Sequence, residues 1–565
     1  MKKENSFFLI TAILTLFVAG FIKHDELYRV PIFVYVITAV AIIAGNIILK
    51  MKKYQREEVL LWNICSVGFF LTMAFIPFVH YIQLNYFGSD FVTGSISIVM
   101  AVVLGIFAVM ILKMFKQKDN AVFLVLFWAF LLRVFFVVLS QGNYFQNDLG
   151  VLAKDDYGHL GYIYYLYENG RLPETFWNQY YHPPLHHIIC ALVLKVCAVF
   201  GMAVERMDEV LQCLSLFYTT ATLGYINKIG KKFGLDEKGR IVAVLLAAFM
   251  PYNIMMSGAL NNDSLVTLLS IMFVYYLVCW YQNPTMGSAV LMALCMGLGM
   301  MTKFSAVLIA PAAAVIMLEQ VWEKRKKPWK CIGQLVVFGV IVFPLGLWHS
   351  LRNYYKFDLP LGFVPSVAQD APQYIGMYDI KQRIFDFTGQ FEPLCLIWSN
   401  AEENVSYNIP VSLVKYAAFG ESDYYLNNSV VEMLGTFMFW TIALVFLLMP
   451  IGILIWLTKK DNQNVWKLFI LLGAGAILYF YMIFCSKYPH ICTMNVRYIM
   501  VALFMGCLAV GVGLVPKKTD GRMRRIKFVA ATSIMVVAVV YAIGCSLLIL
   551  NLGFWLKMNK MTVLP

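Results

Sequence analysis

Acidic and imidazole side chains come together in one short stretch, NDLGVLAKDDYGHLGYI, which follows a long apolar run ending at Ser140. The stretch contains Asp148, Asp155, Asp156 and His159. A carboxylate at a water interface is suited to accept a proton from a hydroxyl group. We therefore predict that one of the three aspartates is a general base and that His159 binds substrate.

Four further segments place polar side chains between apolar runs. Pro183 and Pro184 hold the chain extended beside a histidine in YYHPPLHH, which aims that side chain and delays the next helix. Lysine, arginine or protonated histidine can stabilise a leaving phosphate. The candidate substrate-binding residues in these segments are His182, Asn262, Asp263, Lys303, His490 and Arg497.

The elements that must position these residues are membrane helices. The chain has 565 residues, of which 61% are hydrophobic and 14% charged, and its mean hydropathy is +0.71. Apolar runs of about 20 residues, long enough to cross a bilayer, recur along the chain and lack the alternation of a barrel strand. We predict an all-α, polytopic transmembrane helical bundle with about fifteen crossings.

Basic clusters indicate the orientation, because lysine and arginine favour cytoplasmic loops. They fall at residues 50–56, 113–118, 228–234, 323–330, 458–460 and 517–527. The alternation holds if the segment at 185–201, which carries Lys195, lies along the outer interface and does not cross. All the candidate residues then lie on the extracytoplasmic face.

The same pattern suggests a division of the chain. Four helices precede the polar motifs, and one long outer loop contains interfacial helices. The predicted units are a four-helix N-terminal extension at 1–118, a catalytic transmembrane core at 119–350 with its first outer loop at 141–185, a long outer loop at 351–430, and C-terminal transmembrane helices at 431–565.

A base and fixed cations on one outer face suit transfer of a sugar from a lipid phosphate, because nucleotide sugars are cytoplasmic and this face is not. The motifs DDYGHLGYIYYLYENGRLP, HPPL, ND and MGLGMMTKFS resemble those of the C-type membrane glycosyltransferases, and the likeness covers residues 121–515. The nearest groups are the protein O-mannosyltransferase-like enzymes and the transferase that adds aminoarabinose to lipid A.

The resemblance implies a polyprenyl-phosphate sugar donor, an extracytoplasmic acceptor, a first-loop aspartate as base and inversion at the anomeric carbon. Two choices of base stay open, because the position of NDLG nearer the membrane favours Asp148 whereas the spacing of DDYGH favours Asp155 and Asp156. The aminoarabinose enzyme has lysine before PPL where this chain has His182, so Lys303 or Arg497 is expected to bind the phosphate.

Several of these residues also have purely structural interpretations. Asp263 could cap the helix that it opens, and Lys303 could extend towards the membrane interface. Arg133 lies within a span, where a buried ion pair is expected. His186 and His187 are expected to be neutral interfacial residues, because no carboxylate accompanies them at metal-ligand spacing.

Two other classes of protein fit parts of the pattern. A transporter or flippase of lipid-linked substrates would carry ionisable groups near mid-membrane, and a polysaccharide polymerase or ligase also has one large outer loop. The aspartates are suited to bind Mg²⁺ or Mn²⁺ as well, although no cofactor is required by the sequence. We expect a multi-pass plasma-membrane protein, with lipid and no nucleic acid as partner.

Overall fold

The computed structural model describes residues 120–140, 158–177, 179–199, 208–365, 369–371, 373–391, 406–421, 429–460, 463–515 and 524–560, with single positions 11, 14, 15 and 18. The predicted N-terminal extension, apart from those four positions, and the aspartates Asp148, Asp155 and Asp156 lie outside the described residues. The predicted all-α polytopic bundle is confirmed for the part that is described, where no strand occurs.

The bundle consists of sixteen α-helices in the described ranges. They are α1 Asn120–Leu139, α2 Gly158–Asn169, α3 Leu185–Val199, α4 Asp208–Lys232, α5 Glu237–Ala248, α6 Pro251–Met255, α7 Asp263–Gln282, α8 Met286–Thr302, α9 Ala310–Glu323, α10 Trp329–Phe357, α11 Ile380–Phe385, α12 Ile409–Phe419, α13 Ser429–Thr458, α14 Asn464–Lys487, α15 Met500–Gly513 and α16 Arg524–Lys560.

Eight of the helical segments in the described ranges are long and apolar enough to cross a membrane, and a ninth results if the bent pair α5 and α6 is one span. The sequence-based count of about fifteen covers the whole chain, including residues outside the described ranges, and therefore stays a prediction. The interfacial prediction for α3 stays a prediction, although its 15 residues are fewer than a crossing needs and Lys195 is exposed.

The break between α5 and α6 has a clear cause. Pro251 has no N–H, so the carbonyl of Ala247 loses its helical donor, and the two helices meet at 71°. The Asn253 side chain donates to Ala247 O at 2.8 Å, and Arg133 Nη2 donates to Ala248 O at 3.0 Å. Side chains thus replace the backbone donors that the bend removes.

Among the residues that the structure describes, Arg133 has carbonyl partners and no carboxylate partner, so the expected ion pair is wrong there. Its Nη1 also donates to a carbonyl, Ala129 O at 3.0 Å, within its own helix. Carbonyl oxygens at a helix break can take the place of a carboxylate, because a buried guanidinium needs acceptors and a broken helix supplies them.

Close packing of small residues fixes the helices that carry the site. A Cβ added to Gly297 on α8 would lie 2.9 Å from the Cβ of Leu345 on α10, and one on Gly513 of α15 would lie 2.2 Å from the carbonyl oxygen of Gly452 on α13. Glycine is needed at both crossings because no larger residue allows the backbones to approach so closely.

Candidate active site

A cavity of about 850 Å³ opens between short connecting segments and the spanning helices. Its polar end is lined by His159, His182, Asp263, Lys303 and Arg497. These five candidates come from separate parts of the sequence, and the fold brings them to one cavity. Asp148, Asp155 and Asp156 lie outside the described residues, so the location of the base stays a prediction.

Asp263 links the two cations of this cavity. Its Oδ1 accepts a hydrogen bond from Lys303 Nζ, and its Oδ2 lies 3.7 Å from Arg497 Nε. The capping alternative for Asp263 is wrong, because Asn262 is the N-cap residue and the Asp263 carboxylate instead faces the cations. With both oxygens beside cations, Asp263 is better suited to orienting Lys303 and Arg497 than to accepting a proton.

A second carboxylate completes the cluster. Glu421, just after α12, lies with its Oε1 3.4 Å from Arg497 Nη1 and accepts a hydrogen bond of 2.6 Å from Asn495 Nδ2. Asn495 Oδ1 in turn accepts from the backbone N–H of Arg497 at 2.9 Å. The cluster contains two positive and two negative groups, so its formal charges cancel. Their side chains are only 4–15% exposed, so water screens their interactions little.

Local backbone structure explains these positions. Lys303 is the C-cap of α8 in an extended conformation, where the chain leaves the helix before a 3₁₀ turn. The Asn262 side chain donates to Thr302 O at 3.0 Å and thereby joins the start of α7 to the end of α8. Asn262 is not among the residues that line the cavity, and substrate binding by its side chain stays a prediction.

A cluster of histidines lies beside the charged end of the cavity, and His159 and His182 line it. His159 Nδ1 lies 2.9 Å from His187 Nε2, and the rings of His159 and His182 stack at 5.5 Å. Burial, followed by the nearby charges of His159, Lys303 and Arg497, holds the pKa of His182 well below its usual value. Burial also lowers the pKa of His186 to about 4, although its ring contacts Leu260 O at 2.8 Å.

The structure places His490 elsewhere. Its ring packs edge-on against Tyr374 at 5.4 Å, and its backbone forms a bridge between the segment after α10 and the segment before α15. His490 is not among the residues that line the cavity. Its position favours holding the segment that contains Tyr374, and substrate binding by its side chain stays a prediction.

The remainder of the cavity is an apolar groove. Phe304, Leu308 and Pro311 form one side, before and within α9, and Ile477, Phe480 and Phe484 on α14 form the other. The groove runs between two spanning segments, Phe304–Glu323 and Asn464–Lys487. A charged head and an apolar groove between membrane helices suit a ligand with a phosphate group and a long hydrocarbon chain.

Three residues at or beside the cavity carried no sequence signal that singled them out. Glu421 is one carboxylate in a long segment between spans, and Tyr498 adjoins a candidate without being one. Lys487 lies at the mouth of the cavity in the last turn of α14. Only the tertiary fold shows which loop residues reach Arg497.

The described part of the chain offers no ready group of metal ligands. Within those ranges, no three His, Cys, Asp or Glu side chains are grouped to hold a metal ion. The first-loop aspartates are outside those ranges, so the suggestion of Mg²⁺ or Mn²⁺ there stays open.

Comparison with known proteins gives a family match and a match to a curated relative. The family described as dolichyl-phosphate-mannose-protein mannosyltransferase matches residues 181–348, which include His182, Asp263 and Lys303. The lipopolysaccharide core galacturonosyltransferase RgtA of Rhizobium johnstonii is 25% identical over 184 residues, or 31% of this chain and 35% of RgtA. The chain therefore matches about a third of the length of this curated relative.

Two solved structures have low overall similarity. They are crystal structures of ArnT from Cupriavidus metallidurans, one bound to undecaprenyl phosphate and one in the apo state. The first covers 77% of this chain and 76% of ArnT at 14% identity with a TM-score of 0.42, and the second covers 75% and 76% at 13% identity with a TM-score of 0.44.

The family match and the curated relative indicate the same class of enzyme. Both the matched family and the galacturonosyltransferase are named as glycosyltransferases. The predicted resemblance to the C-type polytopic membrane glycosyltransferases is thereby confirmed.

Proposed function

We propose that the protein transfers a sugar from a polyprenyl-phosphate donor to an extracytoplasmic acceptor. The observation that carries this proposal is the buried cluster of Asp263, Lys303 and Arg497 at the head of an apolar groove between two spanning segments. The donor name in the matched family, dolichyl-phosphate-mannose, supports a lipid-phosphate donor of the same kind.

The chemistry follows from the bonds that must change. The acceptor hydroxyl attacks the anomeric carbon, the bond from that carbon to the phosphate oxygen breaks, and the electron pair goes to the phosphate. Lys303 and Arg497 stabilise the charge that develops there. The hydroxyl proton goes to a first-loop aspartate, for which Asp148 and Asp155 are the leading candidates, and in-line attack inverts the anomeric configuration.

Asp263 and Glu421 have a defined role in this scheme. They hold Lys303 and Arg497 in place and keep the unliganded site close to neutral, so that a bound phosphate is stabilised by the position of the two cations and not by an excess of positive charge. Lys303 and Arg497 interact more strongly with the leaving phosphate as it gains negative charge. They therefore stabilise the transition state more than the bound substrate, and this lowers the barrier of the reaction.

Sugar release from a panel of polyprenyl-phosphate sugars tests the proposal. Purified wild-type protein is compared with Asp148→Asn, Asp155→Asn, Asp156→Asn and Arg497→Gln. We expect one donor to be consumed, one Asn variant to lose about 100-fold or more in turnover, and Arg497→Gln to lose a similar factor. The absence of turnover with every donor, acceptor and divalent metal would refute the proposal.

A further inference from the structure

Resting on this proposed function, we infer that Lys487 forms a separate capture site for the phosphate headgroup of the lipid carrier at the mouth of the groove. Lys487 lies in the last turn of α14, is exposed, and lines the same cavity as Lys303 and Arg497. The ligand class is a phosphate mono- or diester on a polyprenyl chain.

The nearby charges distinguish Lys487 from the two inner cations of the cavity. Lys303 and Arg497 are already accompanied by Asp263 and Glu421. Within the part of the chain that the structure describes, no carboxylate lies within ion-pair distance of Lys487, whose Nζ instead lies 5.3 Å from the ring of Tyr488. An arriving anion therefore meets an uncompensated positive charge first at Lys487.

Aromatic rings lie between Lys487 and the two inner cations. The ring of Tyr488 lies 5.3 Å from that of Phe484, which lies 5.1 Å from that of Tyr498. Tyr498 in turn contacts both inner cations, with Lys303 Nζ and Arg497 Cζ each 5.2 Å from its ring. One short aromatic row thus joins the outer cation to the inner pair.

An apolar surface of the groove adjoins Lys487 on α14. Phe480, Ile483 and Phe484, on the same helix as Lys487, line the groove. The Tyr488 hydroxyl donates to Val364 O at 3.2 Å, so the outer loop borders the mouth. A carrier whose hydrocarbon chain lies along α14 would bring its headgroup to Lys487 before it reaches Arg497.

Any lysine in the last turn of a helix interacts favourably with the helix dipole. A control variant must therefore separate this effect from phosphate binding. Lys356 provides the matched control. It also lies in the last turn of a spanning helix, α10, but it pairs with Glu174 and does not line the cavity.

The test measures the dissociation constant of undecaprenyl phosphate in detergent, with wild type, Lys487→Gln, Lys487→Arg and Lys356→Gln, each checked for folding by its melting temperature. We expect Lys487→Gln to weaken binding about fivefold, Lys487→Arg to restore most of it, and Lys356→Gln to match wild type. Unchanged binding in Lys487→Gln, or an equal loss in Lys356→Gln, would overturn the inference.

Competition distinguishes the sources of phosphate. The inference expects that phosphatidylglycerol and inorganic phosphate compete poorly with undecaprenyl phosphate. Competition by phosphatidylglycerol at equal concentration would assign Lys487 to ordinary lipid headgroups, and tight binding of inorganic phosphate alone would assign it to free phosphate. Either result rejects a carrier site.

Turnover separates this inference from the proposed function. With the preferred donor, Lys487→Gln should raise KM about fivefold with kcat unchanged, whereas Arg497→Gln should lower kcat. If no donor is consumed but Lys487-dependent binding of undecaprenyl phosphate persists, the capture site stands and the transfer reaction fails. If turnover occurs with the same KM in Lys487→Gln, the transfer reaction stands and the capture site fails.

Discussion

At the scale of single residues, the site combines charges that compensate one another with histidines that stay neutral. The carboxylate of Asp263 lies between Lys303 and Arg497, and Glu421 supports Arg497 from the other side. The neutral state of His182 follows from burial beside these cations, because a protonated imidazole there would be both desolvated and repelled.

This preference for neutral histidine predicts a loss of stability in acid. Burial lowers the pKa of His186 from 6.5 to about 4. Between these values the unfolded chain binds a proton that the folded chain excludes, so the free energy of unfolding falls as the pH falls through 6.5. The expected slope is roughly 1.4 kcal/mol per pH unit for this one group. Thermal unfolding from pH 8 to pH 4 in detergent measures it.

The variant His186→Asn supplies the control for that experiment. Asparagine keeps a side-chain donor but cannot take up a proton, so the unfolding free energy should fall less steeply below pH 6.5 than in wild type. Identical slopes in the two proteins would show that His186 does not exclude a proton in the folded state.

At the scale of elements, the polar residues lie where helices end or break. Lys303 follows α8, Asp263 opens α7, and Arg497 lies in a 3₁₀ turn before α15. Sequence patterns predicted these positions because apolar runs show where a span ends. They did not predict the role of Arg133, because the need for a side-chain donor to Ala248 O arises only from the bend at Pro251.

The break between α5 and α6 makes a prediction of its own. Replacing Arg133 by leucine leaves the carbonyl of Ala248 buried without its side-chain donor, which should reduce the free energy of unfolding by about 1–3 kcal/mol. Arg133→Lys should recover part of the loss, because a lysine can reach one carbonyl but not both. Thermal unfolding of the purified variants measures the effect.

Turnover per folded molecule distinguishes this role from a role in proton or ion movement. Since the Arg133 guanidinium donates to the carbonyls of Ala129 and Ala248, both variants should keep near wild-type turnover once corrected for folded protein. A large loss of turnover in a fully folded Arg133→Lys protein would contradict a purely structural role.

At the scale of the whole molecule, the sequence predicted the helical bundle and most of the polar lining of the cavity. His159, His182, Asp263, Lys303 and Arg497 were identified separately and line one cavity. Glu421 and Lys487 were not identified, because their importance depends on which loop end and which helix end approach Arg497. Such contacts between distant segments leave no periodic or spacing signal in one sequence.

Because the site is assembled from distant segments, all of them must reach the same side of the membrane, and this gives a prediction about topology. The turn between α9 and α10 contains the basic run KRKK at residues 324–327, whereas Asp358 follows the other end of α10. We expect a fluorescent-protein reporter to be active when fused after Lys326 and an alkaline phosphatase reporter to be active when fused after Asp358. The first reporter works only in the cytoplasm and the second only outside it, and basic loops favour the cytoplasm.

Two further fusions test whether the other helices of the site share this orientation. Asn283 follows α7 and Tyr488 follows α14, so fusions after them should report the cytoplasm and the outside respectively. If the reporters after Asp358 and Tyr488 gave opposite sides, Lys487 and the outer end of α10 could not border one extracytoplasmic cavity. The proposed reaction would then have no common face on which donor and acceptor meet.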